Sequence, residues 1–279
     1  MKLLVIGSTG FLGSELVNYF SKNNKVFRAS IDSPNKSEVL DITDKYAVGC
    51  FFKKINPEVV IDTVALTSSV TCEQEPELCK KLNFETAKNI ADACREHDAK
   101  MVFISSSYVF DGKKGNYSEK DIPHPSSEYA RSKLLAEKEV LKLKNSLVLR
   151  VDLMYGLYEG ELHAGPNNIG KKEIEIGYPN QLRSPVFIED VPRGIEKLIN
   201  ENQIGIFHIA GSDKIKMFDF FNNLIKISPY NLSLKIVDSS NFIVKSPENS
   251  TLDTSKITRL EIKTTSFKNA LVKIKKRLS

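Results

Sequence analysis

The chain has no tryptophan and only four histidines and four cysteines in 279 residues. His97, His124, His163 and His208 are scattered without ligand spacing, and Cys50, Cys72, Cys79 and Cys94 form no metal-ligand pattern, so no metal site is expected. The cysteine spacing suits buried thiols in a reducing compartment. No apolar run approaches the roughly 20 residues that span a bilayer, and the N-terminus carries no apolar segment followed by a small-residue cleavage signal. Neither a membrane nor export is expected, and the expected location is cytoplasmic. The formal net charge of +5 comes largely from Lys268, Lys273, Lys275, Lys276 and Arg277. No aromatic–basic interleaving accompanies them, so this tail reads as a solvated helix and no nucleic-acid partner is expected. Internal repeats and low-complexity tracts are lacking too. What is present is an ordinary globular composition, 41% hydrophobic and 27% charged, in a chain long enough for one large domain with a smaller lobe.

Lys2 to Ile6 is a continuous apolar run of strand length, the pattern of a strand covered on both faces. It leads into Gly7-Ser8-Thr9-Gly10-Phe11-Leu12-Gly13, after which Glu15, Leu16, Val17 and Phe20 recur at helical spacing. Glycines at 7, 10 and 13 meet the demands of a dinucleotide site: a tight turn, close backbone approach to a pyrophosphate, and a helix N-terminus presenting N–H groups. A second strand, Lys25 to Ser30, should end near the adenosine ribose. There Ser30 leaves room for a 2′-phosphate and Arg28 can pair with it, whereas Asp32 can bind a ribose hydroxyl. The balance predicts NADP(H), with NAD(H) as the alternative. In Asp41-Ile42-Thr43-Asp44, Thr43 or Asp44 can cap a helix through Phe51 and Phe52. Val59 to Ala65 reads as the next buried strand, and the small residues around Ala65-Leu66-Thr67 allow a nicotinamide nucleotide to lie across the sheet edge. Leu78 to Cys94 has helical apolar spacing. Asn83 lies within it, either as a solvated or locally bonded residue or as the holder of a water near an active site.

Met101 to Ser105 is a short apolar strand, and Ser106 stands at its end. After a polar loop, Tyr129 and Lys133 are four apart in a segment with apolar residues at Leu134, Leu135, Val140 and Leu141, so they share one helix face. An ammonium beside a phenol favours the phenolate, which makes Tyr129 a usable proton donor or acceptor. A serine hydroxyl from the strand end can hold a carbonyl. This suits reduction of a ketone, or oxidation of an alcohol, beside a hydride carrier. Ser146 to Val151 is a further strand, and the alternation of strands with helices predicts an α/β chain with a Rossmann-type, doubly wound parallel sheet. The dinucleotide-binding domain is predicted over 1–156, with further elements from 184–210, and a smaller mixed substrate-binding lobe mainly over 157–279. Residues 160–179 lack periodicity and read as a mobile substrate lid. Asp190 reads as a helix cap, and Ser266 opens the last helix.

Gly7 through Gly13, Leu40 through Asp44, Cys72 through Pro76, Leu82-Asn83, Ser105 through Gly112, Tyr129 through Lys133, Arg150, Tyr155-Gly156, Ser184-Pro185, Glu189-Asp190 and Leu252 through Lys256 carry a resemblance. They resemble the extended short-chain dehydrogenase/reductases, and within them the dTDP-4-dehydrorhamnose reductase family, over nearly the whole chain. The resemblance implies that Ser106 takes the Ser/Thr position, that Tyr129 is the acid and that Lys133 is its electrostatic partner. With the reading above, it implies a dinucleotide held by Gly7, Thr9, Gly10, Phe11, Leu12, Gly13, Arg28, Ser30, Asp41, Ile42, Ala65, Leu66, Thr67 and Asn83, as well as Tyr129 and Lys133. Asp41 and Ile42 would contact adenine. Ser107, Tyr108, Val109, Arg150 and Asp152 are the substrate-side candidates, although Arg150 fits equally as a structural residue.

The implied reaction is hydride delivery from NAD(P)H to the C4 ketone of a nucleotide-linked 6-deoxy sugar. The nucleotide sugar is the expected partner, and a homodimer is compatible with it. Departures from the family pattern sit at Asp62-Thr63-Val64-Ala65-Leu66-Thr67, where members commonly have Asn-Ala-Ala-Ala-Tyr-Thr, and at Val151-Asp152-Leu153, where they usually have Thr-Ser-Trp. Two alternatives stay open. One is an NADP-binding regulatory subunit, because the methionine adenosyltransferase β-subunit resembles the same family. The other is a sugar-nucleotide epimerase or dehydratase, although Ser107-Tyr108 stand where dehydration commonly uses Asp-Glu.

Overall fold

Leu3, Leu4, Val5 and Ile6 are all buried in strand β1 (Lys2–Ile6) of a seven-stranded sheet in the computed structural model. The structure describes residues 1–31, 38–165, 167–169 and 173–278. Along the chain follow β2 (Lys25–Ser30), β3 (Glu38–Val39), β4 (Val59–Asp62), β5 (Lys100–Ser106) and β6 (Ser146–Val151). With the strand Gly205–Ile209 at one edge, the spatial order is Gly205–Ile209, β6, β5, β4, β1, β2, β3. β1 pairs in parallel with β2 and β4, β2 with β3, and β4 with β5. Strand order therefore runs outward in both directions from β1 and β4, the reversal that opens a crevice beyond their carboxyl ends.

The strands read as continuous apolar runs because helices pack on the sheet. Leu4, Ile6, Val60, Met101, Phe103 and Val148 share one core with Phe52, Ile90 and Ala91 of the helical layer. Helix α1 (Phe11–Phe20) follows β1, and α2 (Lys45–Ile55) is capped by Asp44, whose carboxylate accepts from the N–H groups of Tyr46 at 2.9 Å and Ala47 at 3.2 Å. Ser127 caps the Glu128–Val140 helix by accepting from the Ala130 N–H at 3.2 Å.

Two helical readings of this part of the chain gain detail, and one expectation is corrected. The helix read over 78–94 is present, in a helical run made of Pro76–Lys80, a π-helical turn at Lys81–Glu85 and Thr86–Glu96. The Glu128–Val140 helix, read from its periodicity, buries a face rich in polar groups. Leu135 is exposed, whereas Ser132, Lys133 and Glu137 are buried beside Ala130, Ala136 and Val140. The cysteines are not four buried thiols. Cys50 is an exposed thiol and Cys94 a buried one, while Cys72 and Cys79 form a disulfide. Seven residues of unbroken helix would separate their Cα atoms by roughly 10 Å. The helices Ser69–Gln74 and Pro76–Lys80 instead meet at the non-helical Glu75, which brings those atoms to 4.9 Å.

The chain divides into two compact units. One comprises 1–106, 127–149 and 198–207, and the other 107–126, 150–197 and 208–279. In the second unit a four-stranded sheet has the order Val186–Phe187, Met154–Tyr158, Glu161–Ala164, Asn167–Asn168. Residues 160–179, expected to lack regular structure, thus include an antiparallel partner of Met154–Tyr158, and Ile174–Ile176 pairs with Leu234–Ile236. These strands, Glu161–Ala164 and Ile174–Ile176, are too short for their alternation to stand out from a polar stretch of chain. Asp190 does not cap its helix. It is the first residue of Asp190–Asn200, and its carboxylate accepts from the Thr265 N–H and hydroxyl. Ser266 does precede the last helix, Phe267–Leu278, accepting from the Asn269 N–H at 3.4 Å.

Candidate functional site

At the end of β1 the chain turns sharply at Gly7, whose φ of +81° lies in the left-handed region. A Cβ there would stand 2.5 Å from Thr63 Oγ1, the hydroxyl that donates to the Ile6 carbonyl at 2.8 Å and ties the ends of β1 and β4 together. A Cβ on Gly13 would overlap the Gly7 carbonyl oxygen, so α1 packs directly onto the turn. The result is a cleft of about 370 Å³ whose lining includes Gly7, Thr9, Gly10, Ser30, Ile42, Ala65 and Leu66 from the predicted set. Phe11, Leu12, Gly13, Arg28, Asp41, Thr67 and Asn83 lie outside that lining.

Several of the predicted residues brace the cleft, from its lining and from outside it. Thr9 and Ser30 share a hydrogen bond of 2.8 Å between their hydroxyls, joining the glycine turn to the end of β2. Arg28 lies two residues earlier on the same face of β2 and is half-buried. Asp32 lies outside the described residues. Asp41 is exposed and accepts from the Thr43 hydroxyl at 2.8 Å and its N–H at 2.9 Å, hydrogen bonds that lower the carboxylate's pKa. The π turn aims Asn83 at the Ala65–Thr67 loop, as such turns often do at functional sites. Its Oδ1 accepts from the Leu66 N–H at 2.7 Å, and its Nδ2 donates to the Leu66 carbonyl at 3.2 Å and to Ser132 Oγ at 3.0 Å. Asn83 is thus locally bonded and buried.

Ser106 ends β5 and is half-buried, as is Tyr129 in the first turn of the Glu128–Val140 helix. Lys133, one turn on, is buried, with Nζ 4.0 Å from the centre of the Phe103 ring on β5. Burial pulls the Lys133 ammonium down to about 8, against the opposing pull of Asp62 and then Glu137. Asp62, at the end of β4, is buried beside Phe103 in the strand register. Burial lifts its carboxyl to about 6, against the pull of Lys133 and of the Val64 N–H, which Oδ1 accepts at 3.0 Å. Glu137 is buried as well and accepts from the Ser105 hydroxyl at 2.5 Å. Sequence reasoning missed Asp62, Ser132 and Glu137. The one signal that could have found the latter two is their spacing, three and eight residues from Tyr129, on the face that carries Lys133.

In the second unit, Ser107, Val109, Arg150 and Asp152 are buried and Tyr108 is half-buried. The Asp152 carboxylate accepts from Ser107 Oγ at 2.8 Å, from Arg183 Nε at 2.6 Å and from the Ser184 N–H. Arg183 continues the network to the Tyr108 hydroxyl at 2.6 Å, and the Arg150 guanidinium lies 5.0 Å from the Phe110 ring centre. His208 is fully buried, edge-on to Phe110 at 5.9 Å, and burial, reinforced by the Arg150 charge, pushes its imidazole down to about 3. Among the described residues no group of three or more His, Cys, Asp or Glu is placed to hold a metal ion, and no helix is long and apolar enough to cross a membrane.

Known proteins are similar to this chain over most of their length. The family described as the RmlD substrate binding domain matches residues 1–279. The dTDP-4-dehydrorhamnose reductase of Aggregatibacter actinomycetemcomitans is 29% identical over 92% of this chain and 92% of its own. Methionine adenosyltransferase 2 subunit beta of Pongo abelii is 28% identical over 94% of this chain and 83% of its own. Among solved structures, dTDP-4-dehydrorhamnose reductase of Bacillus anthracis in complex with NADP has the same fold, with a TM-score of 0.85, 24% identity and 98% of each chain covered. The chain therefore belongs to the RmlD substrate-binding-domain family and is built on the fold of the extended short-chain dehydrogenase/reductases.

Proposed function

We propose that this protein uses NAD(P)H to reduce the C4 ketone of a dTDP-linked 6-deoxy sugar. The observation that carries the reading is the buried Lys133 one turn from Tyr129, on a helix set beside the strand that ends at Ser106. A buried ammonium is costly to maintain, and a module that only binds a nucleotide has no chemical need for it. The glycine turn suits the dinucleotide, because the space at Gly7 and Gly13 is space a Cβ would fill. Gly7, Thr9, Gly10, Ser30, Ile42, Ala65 and Leu66 would hold it, and when bound it supplies the hydride.

Tyr129 donates its phenolic proton to the oxygen on which negative charge develops. The Lys133 ammonium stabilises the phenolate left behind, and the Ser106 hydroxyl orients the carbonyl. NADP(H) is favoured by the paired hydroxyls of Thr9 and Ser30, which offer donors and no negative charge at the end of β2, with Arg28 on the same face. Asp41 and Ile42 take the adenine side. Tyr108 is the substrate-side contact of this reading, with Ser107, Val109, Arg150 and Asp152 supporting it from within their unit. The setting is cytoplasmic.

A second reading, a regulatory subunit that binds the dinucleotide and docks to a partner, is favoured by the comparable similarity to methionine adenosyltransferase 2 subunit beta. Incubation of the protein with NADPH and dTDP-4-dehydrorhamnose separates the two. The reductase consumes NADPH and releases a dTDP-6-deoxyhexose, whereas a regulatory subunit binds NADPH and leaves its absorbance unchanged.

A further inference from the structure

Asp62 is unusual in its surroundings. It is 1% exposed, its Oδ1 accepts from the Val64 N–H, and its Oδ2 has no hydrogen-bond partner among the described residues. A buried carboxylate oxygen without a partner costs free energy unless a nearby charge compensates it. Phe103 is its direct neighbour across the β4–β5 pair, and the Lys133 ammonium lies over that ring. The two ionisable groups therefore flank one aromatic side chain, both out of water.

We propose that Asp62 is a positioning residue for the Tyr129–Lys133 pair, its buried carboxylate keeping the Lys133 ammonium charged and seated over Phe103. The inference rests on the reading of Tyr129 and Lys133 given above for its catalytic consequence, but the charge relation between Asp62 and Lys133 stands without it.

The groups that bear on this pair come from four elements: Asp62 from β4, Phe103 from β5, Glu137 and Tyr129 from the helix of Lys133, and Cys94 from Thr86–Glu96. Burial and the Asp62 charge both push the Cys94 thiol upward, so it stays neutral and supplies no competing charge. Glu137 is the other anion felt by Lys133, but it is engaged by the Ser105 hydroxyl. Desolvation alone would strip the proton from an amine buried this deeply. With Lys133 near 8 and Asp62 near 6, the pair is ionised at neutral pH, and Asp62 is the larger of the two electrostatic supports.

The test follows the Lys133 titration directly, by NMR of lysine side chains labelled with ¹³C at Cε in the whole protein, with Lys133→Arg identifying the resonance. In Asp62→Asn the Lys133 midpoint should fall by about one pH unit, a roughly fivefold loss of protonated amine at pH 8. Asp62→Glu, which restores the carboxylate, should keep the midpoint of the parent protein. An unchanged midpoint in Asp62→Asn, or a fallen one in Asp62→Glu, overturns the proposal, so either variant decides if the other does not fold. Turnover gives the second readout. The alkaline limb of kcat should move to lower pH in Asp62→Asn, with rates converging near pH 6, whereas a merely structural defect lowers kcat by one factor at every pH. If Tyr129→Phe keeps full turnover, the catalytic reading fails while the NMR result still judges Asp62. If Tyr129→Phe is inactive and the Asp62→Asn midpoint has not moved, the Asp62 inference alone fails.

Discussion

Asn83 and Leu66 are joined twice, by a 2.7 Å bond from the Leu66 N–H to Asn83 Oδ1 and a 3.2 Å bond from Asn83 Nδ2 to the Leu66 carbonyl. One side chain thus takes the place of a strand neighbour for a loop that has left the sheet. Replacing it with alanine leaves the Leu66 N–H and carbonyl without that partner and should cost about 1–3 kcal/mol in urea unfolding. NADPH affinity, read by fluorescence titration, should fall at least roughly tenfold, because Leu66 lines the cleft.

The Thr9–Ser30 pair sets the charge at the end of β2. Ser30→Asp places a carboxylate there, which repels a 2′-phosphate and accepts from ribose hydroxyls. The ratio of NADPH to NADH affinity should fall by a factor on the order of ten or more, one pH-unit equivalent of free energy. Titration with both nucleotides checks it, and an unchanged ratio would remove Ser30 from the specificity account.

Asp152 is saturated by Ser107, Arg183 and the Ser184 N–H, all buried. Asp152→Ala strands the Arg183 guanidinium, and breaking a buried pair in this way costs roughly 3–5 kcal/mol. The expected result is a large fall in thermal and urea stability. Folded protein with parent-like stability and only a raised KM for the sugar would instead make Asp152 a substrate ligand.

His208 gives the fold an acid-sensitive point. Its imidazole stands near 3 in the native state against the ordinary 6.5, so between those values the unfolded chain binds a proton that the native chain does not. Stability is therefore fully present above about pH 6.5 and declines as pH falls, by about 1.4 kcal/mol per unit for this group. Between pH 6.5 and 5 the parent should lose about 2 kcal/mol more than His208→Phe in urea unfolding. Parallel losses would contradict the assignment.

The parts legible in the sequence are those where local chemistry dictates structure. Gly7 and Gly13 are required by a positive φ and by a close approach of backbone, and Asp44 caps the helix that its side chain can reach. Apolar runs such as Lys2–Ile6 announce strands covered on both sides. The Glu128–Val140 helix misleads because its leucines are partly exposed, while its buried face carries Ser132, Lys133 and Glu137. Those polar groups are tolerated only because Asn83, Asp62 and Ser105 meet or compensate them from other elements. No pattern within one helix encodes such partners. The same holds for Cys72 and Cys79, which are brought together by a kink at Glu75, and for the strands of 160–179, which are defined by backbone pairing. The parallel, doubly wound sheet was foreseeable from the alternation of strands and helices, and so was a smaller mixed lobe, but the strand pairings within that lobe were not, because its short strands pair across distant stretches of chain.

The central claim is that Tyr129 supplies the proton for ketone reduction. NADPH consumption with dTDP-4-dehydrorhamnose, followed in the parent and in Tyr129→Phe, tests it most directly. The account predicts a kcat lowered by roughly 10²–10⁴ in the variant, with NADPH affinity and folding stability unchanged. Turnover in Tyr129→Phe within a few-fold of the parent would contradict it, as would a parent protein that binds NADPH and never oxidises it.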